Sequence, residues 1–116
     1  MISVNKIDDV IILAQIKEVN YNENTYASYG RLNSKLKTNL KNLNFEDVIS
    51  LRIIMCLGKD KDHNSDLKPI KIYENLKYFG ETLARKTKAF EIDQILENLP
   101  LANYLINGKK ILKLGF

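Results

Sequence analysis

Asp60-Lys61-Asp62-His63-Asn64-Ser65-Asp66 brings several metal-ligand residue types into one short stretch. Read as a calcium loop, it offers oxygens at the first, third, fifth and seventh places through Asp60, Asp62, Asn64 and Asp66. Two requirements fail: the sixth place, where Gly permits a sharp turn, is Ser65, and the twelfth, where Glu binds through both oxygens, is Lys71. The stretch therefore reads as a solvated loop, and no metal or cofactor is expected. His63 is the only histidine and Cys56 the only cysteine. Pairing them as nucleophile and base would require the loop to reach Cys56, which is expected to be a buried structural thiol in the apolar run Ile53 to Leu57. The chain contains no Gly-rich phosphate loop, no paired-cysteine zinc spacing and no serine nucleophile motif. No catalytic residues emerge, and the expectation is a protein that is not an enzyme.

The cations are more suggestive. From Asn24 to Phe45 there is no acid, while Arg31, Lys35, Lys37 and Lys41 supply four positive charges, as many as the whole net charge of +4. A second basic segment holds Arg85, Lys86 and Lys88, and a third Lys109, Lys110 and Lys113. Tyr21, Tyr26 and Tyr29 interleave with the first, a combination that binds single-stranded nucleic acid by stacking and phosphate neutralisation. Arg31, Lys35, Lys37, Lys41, Arg85, Lys86 and Lys88 are thus the candidate contacts for nucleic acid or an acidic partner. The competing explanation is a solvated helix face, because these cations lie off the apolar stripe and divide into two pairs. A helix-turn-helix does not fit: the clear helix pair is separated by the eleven residues Gly58 to Lys68, against the three or four of that motif.

Positioning these groups falls to helices. With 116 residues, 45% of them apolar, the chain suits one domain spanning residues 1–116. Asn5 is a candidate cap for a helix of about Lys6 to Val19, apolar on nearly every side from Val10 to Ala14. Tyr29, Leu32, Leu36, Leu40 and Leu43 recur at steps of three and four and form one helical stripe. Asn44 caps the next helix, with Asp47 three residues on and Leu43 and Val48 flanking it; Gly58 suits the left-handed turn that would end it. Pro69 opens a segment with Ile72, Leu76, Phe79 and Leu83 at helical spacing, and Ile92, Ile95, Leu96 and Leu99 resume the pattern. The pattern leaves open whether residues 69–98 form one helix or break near Thr87. Pro100 begins a last helix expected to end near Gly108, followed by a tail whose Leu112, Leu114 and Phe116 are candidate interface residues. Strand-like alternation is absent, so the fold class is all-α, a single-domain bundle of five to six helices.

No apolar run approaches the roughly 18 residues of a membrane span. The first residues, broken by Lys6, Asp8 and Asp9, lack a signal-peptide layout, and a lone cysteine suits a reducing compartment, so the expected location is the cytoplasm.

Asn44-Phe45-Glu46-Asp47, Met55-Cys56-Leu57-Gly58-Lys59 and Leu99-Pro100-Leu101-Ala102-Asn103-Tyr104-Leu105, followed by Gly108, are similar to motifs of a family of short bacterial proteins described only as a domain of unknown function. In that family an Asn- and acid-started helix ends in Met-Trp-Leu-Gly-Arg, and a later Pro-Leu-Leu-Ala-Asp-Tyr-Leu block closes with Gly. This chain has Cys56 for the Trp, Lys59 for the Arg and Asn103 for the Asp, and its proline is displaced by one position. The resemblance covers residues 44–116 and implies an all-helical domain without implying a reaction. Taken together, the expected function is a small cytoplasmic helical interaction protein that self-associates or binds a protein partner. The alternative is a nucleic-acid-associated protein using the segments Arg31–Lys41 and Arg85–Lys88.

Overall fold

A computed structural model describes the backbone of residues 1–22, 26–59, 68–82 and 87–114, and the side chains of these except residues 20–22, 26–29 and 79–82. The described residues form six helices and no strands: α1 (Val4–Asn22), α2 (Tyr26–Asn42), α3 (Phe45–Lys59), α4 (Pro69–Thr82), α5 (Lys88–Glu97) and α6 (Leu101–Ile111). The all-α class follows. The loop Asp60–Asp66 with His63, the cations Arg85 and Lys86, the side chains of Tyr21, Tyr26 and Tyr29, and Phe116 lie outside the described residues.

Local chemistry explains most boundaries. Asn44 accepts the Asp47 N–H on its Oδ1 at 2.8 Å, the cap read from the sequence. α1 starts two residues earlier than the Asn5 cap implies, because Ser3 does the capping: its Oγ faces the Lys6 N–H at 3.4 Å and its carbonyl accepts from Ile7 at 3.1 Å. The open question of residues 69–98 resolves into two helices, α4 beginning at Pro69 and α5 at Lys88. Thr87 has extended backbone and accepts the Phe90 N–H on its hydroxyl at 3.2 Å, a cap that starts α5 afresh.

α3 is the central helix, burying Val48, Ile49, Leu51, Ile53, Ile54, Met55 and Leu57. It packs on α4, α5 and most extensively α6, while α1 packs on α2 and α6, and α2 on α5. Ile7, Val10, Ile11 and Ala14 of α1, Leu36 and Leu40 of α2, and Leu43 just after it complete one core with Ile92, Ile95, Leu101 and Leu105. Burying such side chains contributes roughly 1.5–3 kcal/mol each relative to exposure. Cys56, expected inside, is half-buried: on α3 it shares an outward strip with Arg52 and Lys59 while its neighbours turn inward.

Both helix-ending glycines read from the sequence serve another purpose. Gly58 lies within α3 and Gly108 within α6, and neither has the positive φ of a left-handed cap. A Cβ on Gly58 would stand 1.7 Å from the Tyr104 carbonyl oxygen, and one on Gly108 would stand 2.0 Å from that of Ile54. The two helices therefore cross backbone against backbone. α6 ends later, with the Leu114 N–H on the Lys109 carbonyl at 2.9 Å, the Lys113 N–H on that of Lys110 at 3.0 Å, and Lys113 at φ 56 where glycine usually sits. Leu112 and Leu114 are thereby drawn back onto the core. Among the described residues no helix is long and apolar enough to cross a membrane.

Gly58→Ala is expected to destabilise the fold by about 3 kcal/mol or more, since backbone atoms must move to admit the methyl group. Gly30→Ala, where nothing stands within 4 Å of the added carbon, is expected to stabilise by about 0.5–1 kcal/mol. Chemical denaturation of both variants tests the pair, and equal effects would contradict the close crossing.

Candidate functional site

The sequence stripe of α2 turns Leu36 and Leu40 into the core, with Leu43 following just past its end, which distributes the four cations to its two flanks. Arg31 and Lys35 are exposed on one flank. Lys37 and Lys41 lie on the other, where α2 meets α5. There they line a groove of about 260 Å³ with Lys88, Ala89, Ile92 and Asp93. Two basic segments far apart in sequence are thus partly united: Lys37, Lys41 and Lys88 meet, and Arg31 and Lys35 do not join them.

Local bonds set the groove's charge. Lys88 donates to the Lys41 carbonyl at 2.7 Å, satisfying an acceptor in the last turn of α2. Lys37 approaches Asp93 at 3.9 Å, and both side chains are about half exposed. The other acid near the start of α5, Glu91, is buried and pairs with Arg52 of α3, whose guanidinium also lies 5.9 Å over the Phe90 ring. Among the described residues, Asp93 is therefore the one carboxylate lining a groove with three lysines. Sequence reasoning missed it, since an Asp in a helix pattern carries no signal of which neighbour it will face.

In the third basic segment Lys109 is structural, while Lys110 and Lys113 are exposed. Lys109 pairs with Asp8 of α1 at 2.7 Å. Nearby on α1, the Glu18 carboxylate accepts the Ala102 N–H at 3.1 Å and caps α6, a service Pro100 cannot perform. Burial pushes the Lys17 ammonium below the ordinary lysine pKa, with Glu18 partly opposing the shift.

A second surface is apolar. Ile12, Ile16 and Val19 are 53%, 43% and 55% exposed on the outer side of α1. Steps of four and three put them on one stripe. The candidate interface residues Leu112 and Leu114 are instead half-buried against the core. A further groove of about 290 Å³ lies among Met1, Phe45, Ile49, Tyr73 and Lys77, where the Tyr73 hydroxyl donates to Ser50 at 2.8 Å and Ser50 accepts the Ile2 N–H at 2.9 Å. Among the described residues no group of three His, Cys, Asp or Glu is placed to hold a metal ion.

No family model, curated protein or solved structure matches the chain.

Between the lowered Lys17 pKa and the ordinary 10.5, the unfolded chain binds more protons than the folded one, so this lysine's contribution to stability rises with pH. Thermal melts across the alkaline range should show the wild type gaining on Lys17→Met as pH approaches 10.5. Parallel curves would refute the assignment.

Proposed function

We propose that the protein is a small helical interaction module that associates with a second copy of itself through the outer stripe of α1. The stripe of Ile12, Ile16 and Val19 carries this reading. Single exposed apolar residues are ordinary, but three on consecutive turns make a continuous ridge of roughly 10 Å. The segment Val10 to Ile16 contains no charged residue, and Lys17 beyond it is buried. Such a ridge matches itself: a twofold axis sets each stripe on its copy without opposing like charges. An interaction role also accords with residue types that suggest no acid–base or nucleophile set, with the expected cytoplasmic location, and with the motif resemblance, whose family brings no reaction.

The alternative function, association with nucleic acid, draws on the meeting of Lys37, Lys41 and Lys88 in one groove. Arg31 and Lys35 add a separate positive pair on the other flank of α2, a helix with no acid from residue 26 to 42. This reading requires binding that weakens with salt, with a logarithmic slope of about 0.7 per phosphate neutralised on a single strand.

Light scattering over a concentration series should give a mass above that of one chain, falling to one chain in Ile12→Glu/Val19→Glu with the helical circular dichroism retained. A wild type that holds the mass of one chain at every concentration would overturn self-association.

A further inference from the structure

The geometry points to the groove between α2 and α5 as a phosphoryl-binding site in which Asp93 occupies the place of the ligand and is displaced from Lys37 when a phosphate group enters. The inference builds on the cationic reading above but makes a narrower claim, about one group and one competitor.

Lys37, Lys41 and Lys88 come from two helices and line one open volume of about 260 Å³, floored by the buried Ile92 and bordered by Ala89. The Lys41 ammonium has no partner among the described residues, and Lys88 spends one donor on a backbone carbonyl while an ammonium has three. Among the described residues Lys37 has only Asp93, at 3.9 Å, too long for a hydrogen bond and half exposed on both sides. Exposed pairs of this kind contribute at most about 1 kcal/mol. The groove thus holds three cations against one loosely held carboxylate. A phosphoryl group carries more charge than a carboxylate and offers three acceptor oxygens, enough for all three ammonium groups at once. The alternative acid on the same helix, Glu91, is committed to Arg52 on the other side and does not compete.

Two sources supply this chemistry: the backbone of a single-stranded nucleic acid, to which Arg31 and Lys35 on the other flank of α2 offer further cations, or a free phosphorylated small molecule. The experiment titrates the full chain at low salt with inorganic pyrophosphate and, separately, with a short oligothymidylate, following lysine side-chain and backbone resonances. Pyrophosphate should shift Lys37, Lys41 and Lys88. Asp93→Asn should tighten its binding about fivefold, the effect of removing one like charge within several ångströms in a near-aqueous medium. Lys37→Gln should weaken it, whereas Lys68→Gln should leave it unchanged. Lys37→Gln is chosen over a change at Lys88, which would also remove the bond that finishes α2. Shifts that map elsewhere, or an affinity indifferent to Asp93→Asn in a folded variant, would overturn the site. Binding of pyrophosphate with the Asp93 response but none of the oligonucleotide supports the groove and removes the nucleic-acid reading. Oligonucleotide binding that depends on Arg31 and Lys35 but ignores Lys37 and Asp93 does the reverse.

Discussion

The crossing of α3 and α6 at Gly58 and Gly108 is the constraint on which the arrangement of the helices rests. Each glycine faces the other helix's backbone, with no room for a Cβ on either side. Side chains normally hold helix axes 8–10 Å apart; a crossing without them brings the axes nearer and fixes both position and angle. Leu101, Ala102 and Leu105 are buried on the same helix, so its inner face alternates the small Ala102 and Gly108 with two leucine anchors. Once α6 is placed, α1 follows. Asp8 holds Lys109, and Glu18 caps the first turn of α6 at Ala102, two polar ties separated by nearly three turns of α1. They fix α1's rotation, which turns Ile7, Val10, Ile11 and Ala14 inward and leaves Ile12, Ile16 and Val19 outside.

A parallel chain of constraint runs through α5. The buried Glu91 must be matched by Arg52, because an uncompensated carboxylate there would cost several kcal/mol. That pair sets which side of α5 faces α3. Asp93, two residues on, is carried to the opposite flank and toward Lys37. Thr87, by capping α5 from an extended backbone, lets α5 begin where Lys88 can reach the end of α2. The composition of the groove is thus a consequence of how α5 is anchored in the core.

Local signals were the legible part of the fold. The Asn44 cap, the Pro69 start and the leucine stripe of α2 depend on neighbours within one or two turns, and each was readable from spacing alone. Gly58 and Gly108 were misread because a glycine near the end of an apolar run looks the same whether it ends a helix or admits another. Only the partner helix distinguishes them, and that contact spans some fifty residues of sequence. Lys113 shows the converse: a left-handed C-terminal residue that is not glycine leaves no trace in composition. In the candidate site, the off-stripe position of Lys37 and Lys41 was visible on a helical wheel. Their meeting with Lys88, and the presence of Asp93 between them, required the α2–α5 contact.

The apolar stripe and the cationic groove lie on helices that are structurally coupled, since α2 packs on α1 by one side and on α5 by the other. A partner on α1 therefore sits on the helix against which α2, the carrier of Lys37 and Lys41, is packed. If twofold association uses the stripe, each assembly presents two grooves held at fixed separation, and a polyanion long enough to reach both binds the second as an intramolecular event. On the two proposals together, a groove whose described lining has a net excess of two positive charges would engage a strand at two places at once. The two surfaces, read separately as self-association and anion binding, need not be competing accounts: a weak site repeated by symmetry is a physical route by which a chain of this size can recognise a long, uniformly charged ligand.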